Sequence, residues 1–192
     1  MKDQADRTAA ETATSERVKW TIDPAHSEIQ FKVKHLMITT VTGSFQKFDA
    51  DIEVAGDDLS TAKVDFSADI NSITTNNAQR DAHLKTADFF NSEKNSKLTF
   101  TATGAESVDR DGSWTLQGDL SMNGITKAVK LDVEWGGVVK DPYGNTKAGV
   151  SIHGKLNRKD WGINWNAALE AGGVMLSDEV RIACEVQLVK QG

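Results

Sequence analysis

Apolar side chains recur at every second position through long stretches of this chain. Phe48, Ala50, Ile52 and Val54 alternate with Lys47, Asp49, Asp51 and Glu53, and Val64, Phe66, Ala68 and Ile70 alternate with Lys63, Asp65, Ser67 and Asp69. A period of two gives a β-strand one apolar and one polar face. The pattern returns at Ile29/Phe31/Val33, Leu98/Phe100/Ala102, Trp114/Leu116/Leu120/Met122, Val129/Leu131/Val133/Trp135, Val150/Ile152/Leu156 and Val180/Ile182/Cys184/Val186/Leu188, so at least eight strands are expected. Many runs last ten or more residues, against roughly five or six for an ordinary strand. At about 3.3 Å per residue they would stand roughly 30–40 Å tall. Such a sheet hides its apolar face by closing on itself or by folding into two packed layers. Closure is favoured because it also removes the edges that long strands offer for aggregation. The expected fold is therefore all-β, an eight-stranded antiparallel barrel whose interior suits packed side chains or one slender ligand.

Turn signals divide the runs. Asp23-Pro24 opens a turn before the strand that starts near Glu28, and Ser44 to Ala55 continues a strand after Val41-Thr42-Gly43. Asp109-Arg110-Asp111-Gly112 and Asp141-Pro142-Tyr143-Gly144-Asn145 read as hairpins, which implies up-and-down connectivity in the second half. Asn76 to Phe90 lacks the period of two and places Asp81 four residues before Lys85, so it predicts a helix of about four turns capping one barrel end. Gly136-Gly137 and Gly172-Gly173 precede no helix and read as barrel bends rather than phosphate cradles.

Length and charge narrow the class. The 192 residues suit one domain, expected over residues 19–190, after a polar arm at 1–18 that is too poor in large apolar residues to join a core and is expected to be disordered. The net charge is −6 with scattered basic residues, which argues against nucleic acid as a partner. No span of about 18 apolar residues exists, so stable membrane insertion by a helix is not expected. A secretory apolar segment is also missing, so the expected location is cytoplasmic if the chain is complete and periplasmic if a signal peptide has been removed. The lone Cys184 can form no internal disulfide and reads as a buried, inert thiol. A homodimer is compatible with the sequence, which does not fix the oligomeric state.

The residues also carry a resemblance. Ile22-Asp23-Pro24-Ala25-His26-Ser27-Glu28-Ile29-Gln30-Phe31-Lys32-Val33-Lys34-His35-Leu36 resembles the opening signature of the YceI family. Gly43-Ser44-Phe45 with Phe48, Ser72-Ile73-Thr74-Thr75, Arg80-Asp81-Ala82-His83-Leu84, Asp88-Phe89-Phe90, Gly124-Ile125-Thr126-Lys127 and Asn157-Arg158-Lys159-Asp160-Trp161-Gly162-Ile163 are similar to that family's further blocks, in its order. The resemblance runs from about Trp20 to Val189. It implies an extended, lipocalin-like barrel with a short helical insertion, holding a polyisoprenoid or similar amphiphile. The chain departs from the family's pattern at Trp161, where many relatives have phenylalanine.

Candidate tail-binding residues are Phe31, Val33, Phe48, Phe66, Phe90, Phe100, Leu116, Leu131, Ile152, Trp161, Ile163 and Ile182, each of which could line a tunnel or simply fill the core. The small residues Ala50, Ala68, Ala102, Gly118 and Ala148 on the same face would leave room for a chain. Arg80, Asp81 and His83 either meet a polar head group at the mouth or only tie the helix to the rim. Trp161-Gly162-Ile163-Asn164-Trp165, if extended, puts both indoles and Ile163 on one face and is expected to line a second entrance. His26 and Ser27 are neighbours whose side chains diverge on a strand, a poor arrangement for nucleophile and base. His26, His35, His83 and His153 lack ligand spacing, so neither a metal nor a catalytic residue is expected.

Three functions fit this pattern. One is a non-enzymatic binder that carries, stores or sequesters a polyisoprenoid, quinone-like or prenyl phosphate, with fatty acids or fatty-acid amides as alternative cargo. The second is an enzyme acting on an isoprenoid in the same cavity, and the third is an interaction module with a plugged barrel. No catalytic cofactor is expected, and the bound lipid is the expected ligand.

Overall fold

The computed structural model describes residues 16–192. It is a closed antiparallel barrel made of eleven strands: β1 (Arg17–Ile22), β2 (Glu28–His35), β3 (Thr39–Phe45), β4 (Phe48–Ala55), β5 (Asp58–Asp69), β6 (Ile73–Thr74), β7 (Lys97–Ser107), β8 (Ser113–Met122), β9 (Ile125–Lys140), β10 (Thr146–Asn157) and β11 (Leu176–Lys190). One helix, α1 (Ala78–Leu84), lies between β6 and β7. The expected polar arm falls mostly on residues 1–15, outside the described residues, and β1 already begins at Arg17.

The eleven strands fill eight wall positions because three positions are split. β1 and β2 both lie against β11, β4 and β3 lie against β1 and β2, and β5 and β6 lie against β4 and β3. The β1–β11 pairing closes the ring. Each break has a local cause, and between β5 and β6 it is a 3-10 turn at Ile70–Ser72 capped by Asp69, whose carboxylate accepts from the Asn71 N–H at 2.9 Å. Between β1 and β2, Pro24 opens a 3-10 turn capped by Asp23, whose carboxylate accepts from the Ala25 N–H at 3.1 Å. Between β3 and β4, the Ser72 hydroxyl accepts from the Gln46 and Lys47 N–H groups at 3.1 and 3.0 Å. The expected strand from Ser44 to Ala55 is therefore two strands.

The two hairpins form where the turn residues place them. The Asp109 carboxylate accepts from the Asp111 and Ser113 N–H groups, and the Asp141 carboxylate accepts from those of Tyr143 and Asn145. Gly136 is the extra residue of a bulge opposite Gly149 and Val150, a bend in the wall as expected. Gly172 and Gly173 are different: both have positive φ, and they turn the β10–β11 connection so that Ala168 bridges Val174.

The helix is shorter than the sequence suggests. Asn77 caps its start, accepting from the Arg80 N–H at 2.9 Å. It stops at Leu84 because both the Thr86 hydroxyl and the Thr86 N–H turn back to the His83 carbonyl, and the Phe90 N–H folds back to the Leu84 carbonyl at 3.1 Å. Spacing alone did not reveal this local competition from a threonine side chain. Beyond it, Phe89 and Phe90 turn inward.

Candidate functional site

The inward faces of the strands enclose an apolar cavity of about 580 Å³. Of the expected tail-binding residues, Phe31, Val33, Phe66, Phe90, Phe100, Leu116, Leu131, Ile152, Ile163 and Ile182 line it. Phe48 does not; it packs between two core clusters around Ala50 and Ala68. Trp161 does not either. It is only 2 % exposed, and its indole Nε1–H donates to the Leu120 carbonyl at 3.0 Å. The alternation expected for Trp161 to Trp165 fails because Arg158–Trp161 is a 3-10 turn and Gly162 follows with φ 70°. Ile163 and Trp165 nevertheless reach the wall.

The room comes from a different source than expected. A Cβ on Gly118 would lie 2.4 Å from the Phe100 ring, and one on Gly43 would lie 2.2 Å from the Phe31 ring, so these glycines receive aromatic rings rather than ligand. Ala68 and Ala148 are fully packed at 1 % exposure, and of the five small residues only Ala50 lines the main cavity.

The cavity opens at the α1 end. There β3 pairs with β6 only through Ser44 and Phe45, so among the described residues Thr39–Gly43 have no strand on that side. Thr75, Asn77, Gln79, Arg80 and His83 line the cavity across this gap. Arg80 Nε donates to Thr75 Oγ1 and Nη2 to the Thr75 carbonyl, both at 2.7 Å. Asp81 accepts from the Thr75 N–H at 2.8 Å and from its hydroxyl at 2.6 Å, and it lies off the cavity wall. Thus Asp81 fixes the helix to Thr75, the residue after β6, while Arg80 does so with part of its guanidinium and still borders the opening. His83 borders it as well, with Nε2 2.8 Å from the Asp88 carboxylate and its ring edge-on to Phe89 and Trp165.

Arg158 was not among the expected site residues. It is 4 % exposed, and it donates from Nε to the Ser177 carbonyl at 2.9 Å and from Nη1 to the Ile163 and Trp165 carbonyls at 2.9 and 2.7 Å. Nη2 has no hydrogen-bond partner among the described residues and sits 3.8 Å from Asp178 Oδ1. Burial pushes the guanidinium pKa down, and Asp178 opposes that shift. Arg158 therefore clamps the β10–β11 connection to β11 at the cavity wall. No sequence signal separates it from its neighbour Lys159, which stays partly exposed.

At the opposite end a smaller apolar chamber of about 130 Å³ is lined by Trp20, Trp114 and Trp135. It shares Ile52, Val64, Leu116, Ile152 and Val186 with the main cavity, so these side chains form a waist between two chambers. The expected second entrance at Trp161–Trp165 is corrected accordingly. That segment joins the same barrel end as α1, where Trp165 touches His83.

The remaining chemistry is structural. His26 Nδ1 lies 2.9 Å from the Asp23 carboxylate, and the Ser27 hydroxyl accepts from the Gln187 N–H at 3.0 Å, away from each other. Among the described residues no group of three or more His, Cys, Asp or Glu is placed to hold a metal, and no helix is long and apolar enough to cross a membrane. Cys184 lies in the cavity wall, where burial pushes its thiol up to about 11.

Comparison with known proteins places this geometry. Residues 20–188 match the family described as "YceI-like domain". A UPF0312 protein of Staphylococcus aureus strain MSSA476 is 42% identical over 170 residues, covering 88% of this chain and 95% of the relative. The crystal structure of the Campylobacter jejuni YCEI protein is similar at TM-score 0.72 with 33% identity, covering 88% of this chain and 96% of that one. A polyisoprenoid binding domain from Saccharophagus degradans shares the fold at TM-score 0.65 and 15% identity, over 90% of this chain and 98% of that one.

Proposed function

The chain belongs to the YceI family, and on that premise we propose that its barrel binds one long-chain amphiphilic lipid, a polyisoprenoid, for carriage, storage or sequestration. One observation carries this reading: beyond the main cavity lies a second apolar chamber that shares five wall side chains with it, so unfilled apolar space recurs along the barrel toward its far end. A plugged interaction module would fill that space with side chains. The 580 Å³ volume lies within the range of about 300–1,000 Å³ typical of ligand sites. Burial contributes about 0.8 kcal/mol per methylene before ordering costs, so a tail can be held without polar contacts. A polar end would rest at the α1 mouth, where Arg80 and His83 offer hydrogen bonds. The likeness to the Saccharophagus polyisoprenoid binding domain favours an isoprenoid over a straight acyl chain. The same walls would also take a fatty acid or fatty-acid amide, because apolar surfaces discriminate weakly between tails. The reading assigns no catalysis to the site.

The test is native mass spectrometry of the purified protein, followed by organic extraction. A stoichiometric prenyl lipid is the expected result. A straight-chain lipid would correct the cargo. A bare protein that also fails to take up added isoprenoids would overturn the binder.

A further inference from the structure

The β2–β3 hairpin ends in Leu36-Met37-Ile38, three large apolar residues at a turn. Met37 is 57 % and Ile38 77 % exposed. Leu36 and Met37 have φ of 52° and 59°, in the left-handed region, where a side chain costs roughly 1–2 kcal/mol. Every other positive-φ position among the described residues is glycine or asparagine. The turn holds Met37 and Ile38 toward solvent, Met37 with a backbone angle that disfavours its side chain, while Leu36 is half-buried.

The hairpin tip borders the opening. Leu36 donates its N–H to the Met175 carbonyl at 2.7 Å, and His35 and Met175 both line the cavity. The neighbouring Val174 is 40 % exposed. The hairpin's own strands are basic: between Glu28 and Asp49 there is no acidic residue in a chain of net charge −6, and the carboxylates at the start of the neighbouring β11, Asp178 and Glu179, are paired with Lys159 at 3.2 Å and Arg181 at 3.5 Å. Lys32 and Lys34 alternate with the inward Phe31 and Val33, so they face outward, and neither joins an ion pair among the described residues.

We propose that this hairpin tip docks the barrel on an anionic lipid bilayer, with Met37, Ile38 and Val174 entering the interface and Lys32 and Lys34 facing its head groups. The proposal rests on the reading of the barrel as a lipid container and adds the surface at which the cargo is exchanged. Two to three side chains are far too few for a protein interface, which buries about 800 Å² per partner. They suffice for reversible bilayer contact when basic residues, each worth about 1 kcal/mol near an anionic surface, are added. The placement also gives a lipid leaving the mouth a short path into the bilayer without crossing water.

Flotation with vesicles of phosphatidylcholine mixed with phosphatidylglycerol, and with phosphatidylcholine vesicles alone, tests the surface. The wild-type protein should float with the mixed vesicles and far less with the neutral ones. Met37→Asn combined with Ile38→Ser should lower that partitioning roughly a hundredfold, since each apolar side chain contributes about a factor of ten. It should leave the melting temperature unchanged or higher, because asparagine tolerates the left-handed position. Lys32→Glu with Lys34→Glu should erase the preference for the anionic vesicles. The proposal fails if the wild type floats with neither vesicle or if the Met37→Asn/Ile38→Ser variant floats equally well. It also fails if the wild type sediments as a dimer that this variant dissociates, since a second copy would then cover the tip. Lipid extracted from the same preparations reports on the container independently: a loaded protein that does not float overturns the docking alone, and an empty one that floats overturns the cargo alone.

Discussion

His83 meets Trp165 edge to face with ring centroids 4.9 Å apart, and this contact joins α1 to the β10–β11 connection across the open end of the barrel. Phe89 completes the group, 5.0 Å from His83 and 5.4 Å from Trp165. Aromatic pairs of this kind contribute about 0.5–1.5 kcal/mol beyond their buried area. Trp165→Ala should therefore speed release of a bound lipid roughly two- to tenfold. His83→Ala should act in the same direction. Stopped-flow release of a fluorescent prenyl analogue checks this, and unchanged rates in both variants would show that the aromatic group does not gate the mouth.

Leu116 is a wall residue of both chambers. Shortening it in Leu116→Ala widens the waist, so the variant should bind longer tails than the wild type from a mixture of prenyl chains. Native mass spectrometry of the competition reads the shift. An unchanged chain-length distribution would place the end of the ligand short of the waist.

Arg158 supplies hydrogen bonds to three carbonyls from a buried position. Arg158→Met leaves those acceptors unpaired and should cost about 3 kcal/mol or more. Arg158→Lys should not restore the loss, because a point charge cannot reach all three carbonyls as a planar fork does. Urea denaturation midpoints give the measurement.

Asp23 joins the β1–β2 break to the far-end hairpin. Its hydrogen bond to the His26 ring, helped by the Ala25 N–H and Lys147, holds its carboxyl below the ordinary value of 3.8. Lys147 also reaches Asp141, at 3.6 Å. A lowered carboxyl pKa stabilises the fold above the unfolded value, and that stabilisation is lost as pH falls through the folded one. The stability gap between wild type and Asp23→Asn should thus be full at neutral pH and shrink below about pH 4. Melting temperatures of both proteins across that range test the sign.

Cys184 has its thiol pushed up to about 11 by burial in the cavity wall. A disulfide reagent at pH 8 should leave the folded protein unmodified and label it fully in denaturant. Rapid labelling of the folded form would mean that the cavity is open to water at Cys184.

The wall was legible because a strand shows its two faces in sequence. Phe66, Phe100, Leu131, Ile152 and Ile182 could be assigned inward from alternation alone, and they line the cavity. Trp161 was misplaced because alternation applies only to extended chain, and Asn157 and Gly162 turn that segment into a helical one. Arg158 was missed because its burial depends on carbonyls brought to it by distant residues such as Ser177. Gly118 looked like free space because nothing in the sequence says that Phe100 leans over it.

By itself the sequence determined the all-β barrel, its hairpins and the apolar lining, since period-two patterning and turn chemistry are local properties. Tertiary structure alone decided that three of the eight strand positions are split, that one end opens beside α1 while tryptophans line the chamber at the other, and that a waist divides the interior. Those features arise from strand register and from side chains meeting across the barrel, distances that no spacing along the chain encodes.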